Sequence, residues 1–299
     1  MYACSRRKFL ARTLAATAAC SAARPSARSV AQAAERHEVN FAFGLVTYQW
    51  AKDWDLKTLI ENCEQTRVLG VELRTTHAHH VEPSLSAAER REVRDRFADS
   101  PVTLVGLGSN ERFDATDRAT LRRAIETSKQ FVRLSHDVGG TGVKVKPNSF
   151  HKGIPHERTI AQIARSLNEL GDFGAGFGQQ IRLEVHGQCA PLPIIKQIMD
   201  AADHPNVAIC WNSNPQDLQG DGLEANFRLV CNRFGQTCHI HDLSRKDTYP
   251  YGNLLRLLIG IDYNGWVMLE EGKRPADPVT ALRRQRELFA TLVTQAAAK

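Results

Sequence analysis

Short apolar runs rich in β-branched residues alternate with amphipathic helical runs eight times along this chain. The predicted strands are 41–48, 70–75, 102–109, 142–148, 181–187, 207–214, 237–243 and 265–271. The clearest helical patterns are 55–70, which ends on a glycine that predicts a C-cap, and 119–140, 158–173, 192–203, 223–235 and 277–295. Eight such units within about 260 residues are typical of a (β/α)8 barrel. We therefore predict an α/β fold with a single TIM barrel domain over residues 34–299.

The alternative is an open, doubly wound sheet, which would place a phosphate-binding loop after its first strand. No such glycine-rich loop follows residues 41–48. The glycine-rich segment GAGFG, residues 174–178, follows a predicted helix instead of a strand, so it does not match a dinucleotide-binding motif. The sequence favours the closed barrel.

The first 33 residues have the composition of an export signal. They hold six basic residues and no acidic one, and residues 34–299 then contain 33 of each sign, which argues against a nucleic-acid partner. SRRKFL, residues 5–10, resembles a twin-arginine signal, and Ala31-Gln32-Ala33 provides a cleavage site. An ordinary secretory signal and a lipoprotein cleavage at Cys20 are alternatives. We expect export to the periplasm, and no apolar run is long enough to span a membrane.

Five cysteines follow the predicted signal and show neither a CxxC motif nor a disulfide framework. They are Cys63, Cys189, Cys210, Cys231 and Cys238. Several lie in apolar runs, where a free cysteine packs as a small hydrophobic residue. We therefore predict unpaired thiols.

Polar side chains recur at the ends of the last four predicted strands. Glu184 and Asn212 are 28 residues apart, Asn212 and His239 are 27 apart, and His239 and Glu270 are 31 apart, which is one strand–helix unit each time. Active sites of these barrels lie at the carboxyl ends of the strands. The four side chains should therefore meet and form a mixed oxygen and nitrogen site, which suits one Mn²⁺, Mg²⁺ or Co²⁺ ion better than Zn²⁺.

Further polar residues are expected around the mouth of the barrel. His241 lies two residues beyond His239, on the same strand face and closer to the mouth, whereas Asp242 should point away and hold a neighbouring segment. Lys144 and Lys146 end the fourth strand, and Lys146 could polarise a substrate oxygen. The other candidate substrate-binding residues are Glu72, Arg74, His77, His79, His186, Asn214 and Arg245.

The four polar strand ends, RLEVHG, CWNSN, CHIHDL and GWVMLEE, resemble those of the xylose isomerase-like barrels, the sugar phosphate isomerase and epimerase family. The usual ligand order of that family is Glu, Asp, His, Glu, which the resemblance carries onto Glu184, Asn212, His239 and Glu270. Asn212 departs from this pattern, as do His241, where many members have lysine, and Pro215, where ketose epimerases often have histidine. Arg245 matches an arginine of those epimerases.

The resemblance implies an enzyme that removes a proton next to a carbonyl group, with Glu184 and Glu270 as the acid–base pair and His241 or Lys146 assisting. Reprotonation would give isomerisation or epimerisation, whereas expulsion of a β leaving group would make the enzyme a lyase. Because sugar phosphates are cytoplasmic, an exported member should act on a non-phosphorylated carbohydrate. We expect a lyase that cleaves 3-keto-glycosides, with an isomerase or epimerase of keto-sugars as the alternative.

A non-catalytic, metal-bearing sugar-binding barrel is a second alternative. The related endonuclease barrels need a trinuclear zinc cluster and a basic face, and the net charge of zero over residues 34–299 argues against that activity. The expected partner is a small carbohydrate. Barrels of this family often form dimers or tetramers, so a homo-oligomer is also possible.

Overall fold

Eight parallel strands pair in chain order and close into a barrel, because β1 is hydrogen-bonded to both β2 and β8. This computed structural model describes residues 38–245 and 247–298. The strands are β1 (Ala42–Val46), β2 (Gly70–Arg74), β3 (Thr103–Arg112), β4 (Gly142–Lys146), β5 (Gln180–Glu184), β6 (Val207–Asn212), β7 (Phe234–Ile240) and β8 (Trp266–Leu269). All eight predicted strands are present, and the predicted single (β/α)8 barrel is confirmed.

A helix follows each strand. The helices are α1 (Leu56–Thr66), α2 (Ala87–Ala98), α3 (Arg118–Asp137), α4 (His156–Ala175), α5 (Leu192–Ala201), α6 (Gly222–Val230), α7 (Tyr251–Gly260) and α8 (Pro278–Ala297). Aspartate or serine side chains cap the starts of several of them; Ser86 and Glu89, for example, form a capping box at α2. No described helix is long and apolar enough to cross a membrane.

The predicted glycine C-cap at Gly70 is wrong. Helix α1 ends earlier, and Arg67 adopts the left-handed conformation at its C-cap, with φ of 56°. Gly70 instead begins β2 and faces the barrel interior, where a Cβ atom would lie 2.2 Å from the Trp266 ring. The glycine is therefore required for close packing inside the barrel and not for a helix end.

The barrel floor contains a fully buried arginine. Arg182 on β5 donates hydrogen bonds to the side chains of Gln180 and Thr141 and to the carbonyl oxygen of Val105. A Cβ atom on Gly106 would lie 2.8 Å from its guanidinium. A buried charge needs such partners, and these fix Arg182 beneath the polar residues of the upper barrel.

The predicted export signal, residues 1–33, lies outside the described residues, so export to the periplasm stays a prediction. The prediction of unpaired thiols is confirmed: Cys63, Cys189, Cys210, Cys231 and Cys238 are all free. Four of them are buried, and Cys231 is only partly so.

Candidate functional site

The four residues predicted as ligands meet at the carboxyl ends of β5–β8. Glu184 and Asn212 end β5 and β6, His239 lies one residue before the end of β7, and Glu270 directly follows β8. Donor atoms of Glu184, His239 and Glu270 all lie within 4.8 Å of one another. Asn212 joins them by donating a hydrogen bond from Nδ2 to Glu184 Oε1, at 2.9 Å. All four side chains are buried.

His239 lies between two carboxylates. Its Nδ1 is 3.2 Å from Glu270 Oε2, and its Nε2 is 3.3 Å from Glu72 Oε1. Burial alone would lower the pKa of His239, but Cys210, Glu72 and Glu270 outweigh that effect and raise it well above its ordinary value. Glu72, predicted as a substrate-binding residue, is fully buried on β2 and contacts a predicted ligand.

Lys144 also belongs to the site, although the sequence indicated only that it lies near the end of the fourth strand. Its Nζ lies 2.7 Å from Glu184 Oε2, and both side chains are buried. Burial disfavours both charges, but the ion pair reverses the effect: the pKa of Glu184 is lowered and that of Lys144 is raised. The only sequence signal was the alternation of Lys144 and Lys146, which puts both on one face of β4.

The donor set fits a divalent cation. Asn212 Oδ1 and His239 Nε2 are buried without a hydrogen-bond partner, although His239 Nε2 lies 3.3 Å from Glu72 Oε1. Such atoms are costly unless they bind something, and a cation would satisfy them together. Glu184 can also bind a cation in addition to its present partners, because each carboxylate oxygen has two lone pairs. Carboxylate, amide and imidazole donors suit Mn²⁺, Co²⁺ and Mg²⁺.

Two further cationic side chains, Arg74 and Lys146, lie at the mouth of the barrel. The Arg74 guanidinium lies over the Tyr48 ring, 4.3 Å from its centroid, and its Nη2 donates to Asn110 Oδ1 at 3.0 Å. Lys146 Nζ lies 3.5 Å from the same oxygen. Burial and the Lys144 charge lower the pKa of Lys146 to about 8. Asn110, at the end of β3, was not among the predicted site residues.

His241 and His186 are both half-buried near the cluster. The Nδ1 of His241 lies 2.6 Å from the carbonyl oxygen of Glu270, so the ring is attached to the strand end that carries a predicted ligand. The Nδ1 of His186 is buried without a hydrogen-bond partner. Burial lowers the pKa of His186 below its ordinary value, which favours the neutral ring.

The remaining predicted substrate-binding residues either form hydrogen bonds that stabilise nearby loops and strand ends or lie on the exposed surface. Both ring nitrogens of His79 bond to backbone groups of its own loop, and His77 bonds to the Thr47 hydroxyl. Burial lowers the pKa of each of these histidines to about 4. Asn214 donates to the carbonyl oxygens of residues 185 and 212, which ties β5 to β6. Arg245 lies in an exposed loop.

Asp242 has the role that the sequence predicted. Its carboxylate accepts hydrogen bonds from the backbone and hydroxyl of Ser244 and from the side-chain amide of Gln285. These contacts attach the loop after β7 to α8, where Gln285 also accepts a bond from the Leu243 amide. Asp242 therefore supports the strand end that presents His239 and His241.

Residues 60–292 match the model of a protein family described as xylose isomerase-like TIM barrels. No curated protein sequence matches the chain significantly. Among solved structures, the apo 3-keto-D-glucoside 4-epimerase of E. coli aligns with a TM-score of 0.70 and 16% identity, covering 85% of this chain and 99% of its own. An L-ribulose 3-epimerase aligns with a TM-score of 0.73 and 14% identity, covering 86% and 95% respectively. The IolI protein, solved with a zinc atom, aligns with a TM-score of 0.70 and 17% identity, covering 85% of this chain and 99% of its own. At these identities the structural similarity shows the shared fold.

Proposed function

The chain belongs to the family of xylose isomerase-like TIM barrels, and from this premise we propose that it is a divalent-metal-dependent enzyme that removes a proton next to the carbonyl group of a sugar. The observation that carries this proposal is the convergence of Glu184, Asn212, His239 and Glu270. These side chains come from four strands, and several of their buried donor atoms lack partners. Fold stability alone does not call for such a cluster.

The metal ion would be held by these four residues. When bound, it would supply a positive charge that stabilises the negative charge developing on substrate oxygens. Glu184 is held as a carboxylate by Lys144 and Asn212, which fix both of its oxygens. Glu270 is held ionised by His239, because burial raises its pKa but the nearby histidine lowers it more. The two carboxylates can therefore accept and return the substrate proton.

Protonation of a leaving oxygen requires an acid beside the carboxylates. Lys146 and His241 are the candidates at the mouth, and the pKa of Lys146, lowered to about 8, suits proton donation near neutral pH. The depth of the cluster also limits access of water, because Glu184, His239 and Lys144 are almost completely buried. Exclusion of water protects an enediolate from unwanted reprotonation.

For the reaction itself, we favour a lyase that cleaves 3-keto-glycosides by β-elimination. The structural neighbour named as a 3-keto-D-glucoside 4-epimerase supports the keto-sugar class. The predicted export signal supports a non-phosphorylated substrate. Isomerisation or epimerisation of a keto-sugar is the alternative, and the neighbour named as an L-ribulose 3-epimerase favours it. A non-catalytic sugar-binding barrel is the second alternative.

The decisive experiment follows a chromogenic 3-keto-glucoside in D₂O by absorbance and NMR. We expect metal-dependent aglycone release and a loss of about 10²- to 10⁴-fold for E184Q. E224Q, which changes an exposed glutamate of α6, should keep full activity. Deuterium incorporation without aglycone release would favour the isomerase or epimerase. Sugar binding unaffected by E184Q, with neither exchange nor release, would favour the non-catalytic barrel.

A further inference from the structure

Two cationic side chains at the mouth share one neutral anchor. Arg74 on β2 and Lys146 on β4 both approach Asn110 Oδ1, at 3.0 and 3.5 Å. Stacking on Tyr48 further orients the guanidinium. The result is a pair of positive charges held side by side by an amide oxygen and an aromatic ring.

Neither cation forms an ion pair with a carboxylate within residues 38–245 and 247–298, whereas Lys144 directly pairs with Glu184. Arg74 Nε is buried and has no hydrogen-bond partner. Like charges held together without a counter-ion are unfavourable, and burial increases the cost. Such an arrangement is typical of a site whose counter-ion is a ligand.

The pair lies directly above the polar cluster. Arg74 follows Glu72 by two residues, and Lys146 follows Lys144 by two, so each cation is on the same strand face and about 7 Å closer to the mouth. The direct contacts of the deep carboxylates are made by other residues, since Lys144 contacts Glu184 and His239 contacts Glu72 and Glu270. The N–H groups of Arg74 and Lys146 that point away from Asn110 are therefore available to a ligand that enters the mouth.

We propose that Arg74, Lys146 and Asn110 form an anion subsite that binds a carboxylate group of the substrate. The inference rests on the proposed function, because it places this group beside the same reaction centre, and it adds a preference for 3-keto-glycosides that carry a carboxylate. The guanidinium provides paired N–H donors for two oxygens of the anion, and the ammonium provides a third contact. A neutral sugar would leave both cations without a counter-ion.

The test compares D-gluconate with D-sorbitol, which differ by one carboxylate in place of a hydroxymethyl group. Binding is measured by titration calorimetry on the full chain after EDTA treatment, so that chelation of a metal by gluconate contributes nothing. We expect gluconate to bind at least about tenfold more tightly than sorbitol. This preference should disappear in R74M and K146M and persist in K152M, which changes an exposed lysine of the loop after β4.

A second pair of probes, D-glucose 6-phosphate and D-glucose, distinguishes a phosphate subsite from a carboxylate subsite. We expect the preference for the carboxylate to be the larger of the two, and a larger preference for the phosphate would overturn the assignment to a carboxylate. N110D adds a carboxylate between the two cations and should abolish both preferences while circular dichroism shows an intact fold.

Equal binding of charged and neutral probes by the wild-type chain would overturn the proposal, as would preferences that survive both R74M and K146M. Because the probes do not react and no metal is present, this failure is distinct from a failure of the proposed enzymatic activity.

Discussion

The two halves of the barrel contribute residues of different size to its interior. Strands β5–β8 supply large polar or bulky side chains, including Arg182, Glu184, Asn212, His239, Met268 and Trp266. Strands β1–β4 supply most of the interior glycines, which are Gly44, Gly70, Gly106, Gly108 and Gly142. A Cβ atom on each of these glycines would come within 3.0 Å of another residue, most often a side chain from the opposite half or a neighbouring backbone carbonyl.

The site therefore depends on both halves of the barrel. The large side chains of β5–β8 extend across the barrel interior, and the glycines of the first half leave space for them. Glu72 and Lys144 are exceptions in the first half, and both contact the cluster of the second: Glu72 contacts His239, and Lys144 contacts Glu184. The first half therefore supplies space and charge compensation, and the second supplies the proposed ligands.

Removing the charge compensation should have the largest effect on stability. K144M would leave the Glu184 carboxylate buried without its cation, and we expect a loss of about 3–5 kcal/mol in the free energy of unfolding. Mn²⁺ should recover more stability in K144M than in the wild type, because the ion would supply positive charge beside Glu184. Denaturant unfolding with and without Mn²⁺ measures both effects.

K196M is the control for this variant, because it breaks an exposed ion pair with Asp200 and should change stability little. An unfolding free energy of K144M equal to that of the wild type would show that Lys144 does not compensate Glu184.

Filling the space provided by the first half should have a somewhat smaller effect. G70A places a methyl group where the Trp266 ring lies, and we expect a loss of about 1–3 kcal/mol or more in the free energy of unfolding. G252A is the matched control: its Cβ meets nothing within 4 Å, and Gly252 lies in α7, where alanine is favoured by up to about 1 kcal/mol. Thermal unfolding that shifts equally in both variants would contradict the packing argument.

A buried carboxylate that has no cationic partner among the described residues gives the most specific effect, and per pH unit the smallest. Asp217 accepts hydrogen bonds from the Tyr249 hydroxyl and the Asn214 amide, but burial raises its pKa from 3.8 to about 7. The folded state therefore binds this proton more tightly, so the free energy of unfolding falls as pH rises from about 4 to about 7, by at most about 1.4 kcal/mol per pH unit.

D217N should lack this contribution, and its unfolding free energy should therefore depend less on pH between 4 and 7. Denaturant unfolding of the two proteins across that range provides the comparison. Parallel pH profiles would show that Asp217 does not titrate as its surroundings indicate.

The sequence predicted the strands well because buried parallel strands read as short apolar runs between helices. It missed two helices for different reasons. Helix α2 is highly charged and buries only Val93 and Phe97, so its apolar periodicity is weak. Helix α7 spans only ten residues and includes Gly252 and Gly260, and glycine lowers helix propensity.

The sequence also predicted the four strand-end residues of the cluster, since equal spacing along consecutive βα units places them at one end of the barrel. It could not identify Lys144 or Asn110. Their roles depend on cross-strand distances: Lys144 reaches a carboxylate on the neighbouring strand, and Asn110 joins cations from two others. It also assigned Glu72 to the mouth, because strand alternation fixes the face of a residue but not its depth.

We propose that the four strand ends form one divalent-cation site, and a Mn²⁺ titration is the sharpest test of this claim. The full chain, stripped with EDTA, should bind one Mn²⁺ per chain by titration calorimetry. H239Q should weaken binding by at least about tenfold, while H136Q, which changes an exposed histidine at the end of α3, should not. Absence of Mn²⁺ binding by the wild-type chain, or binding unchanged in H239Q, would contradict the claim.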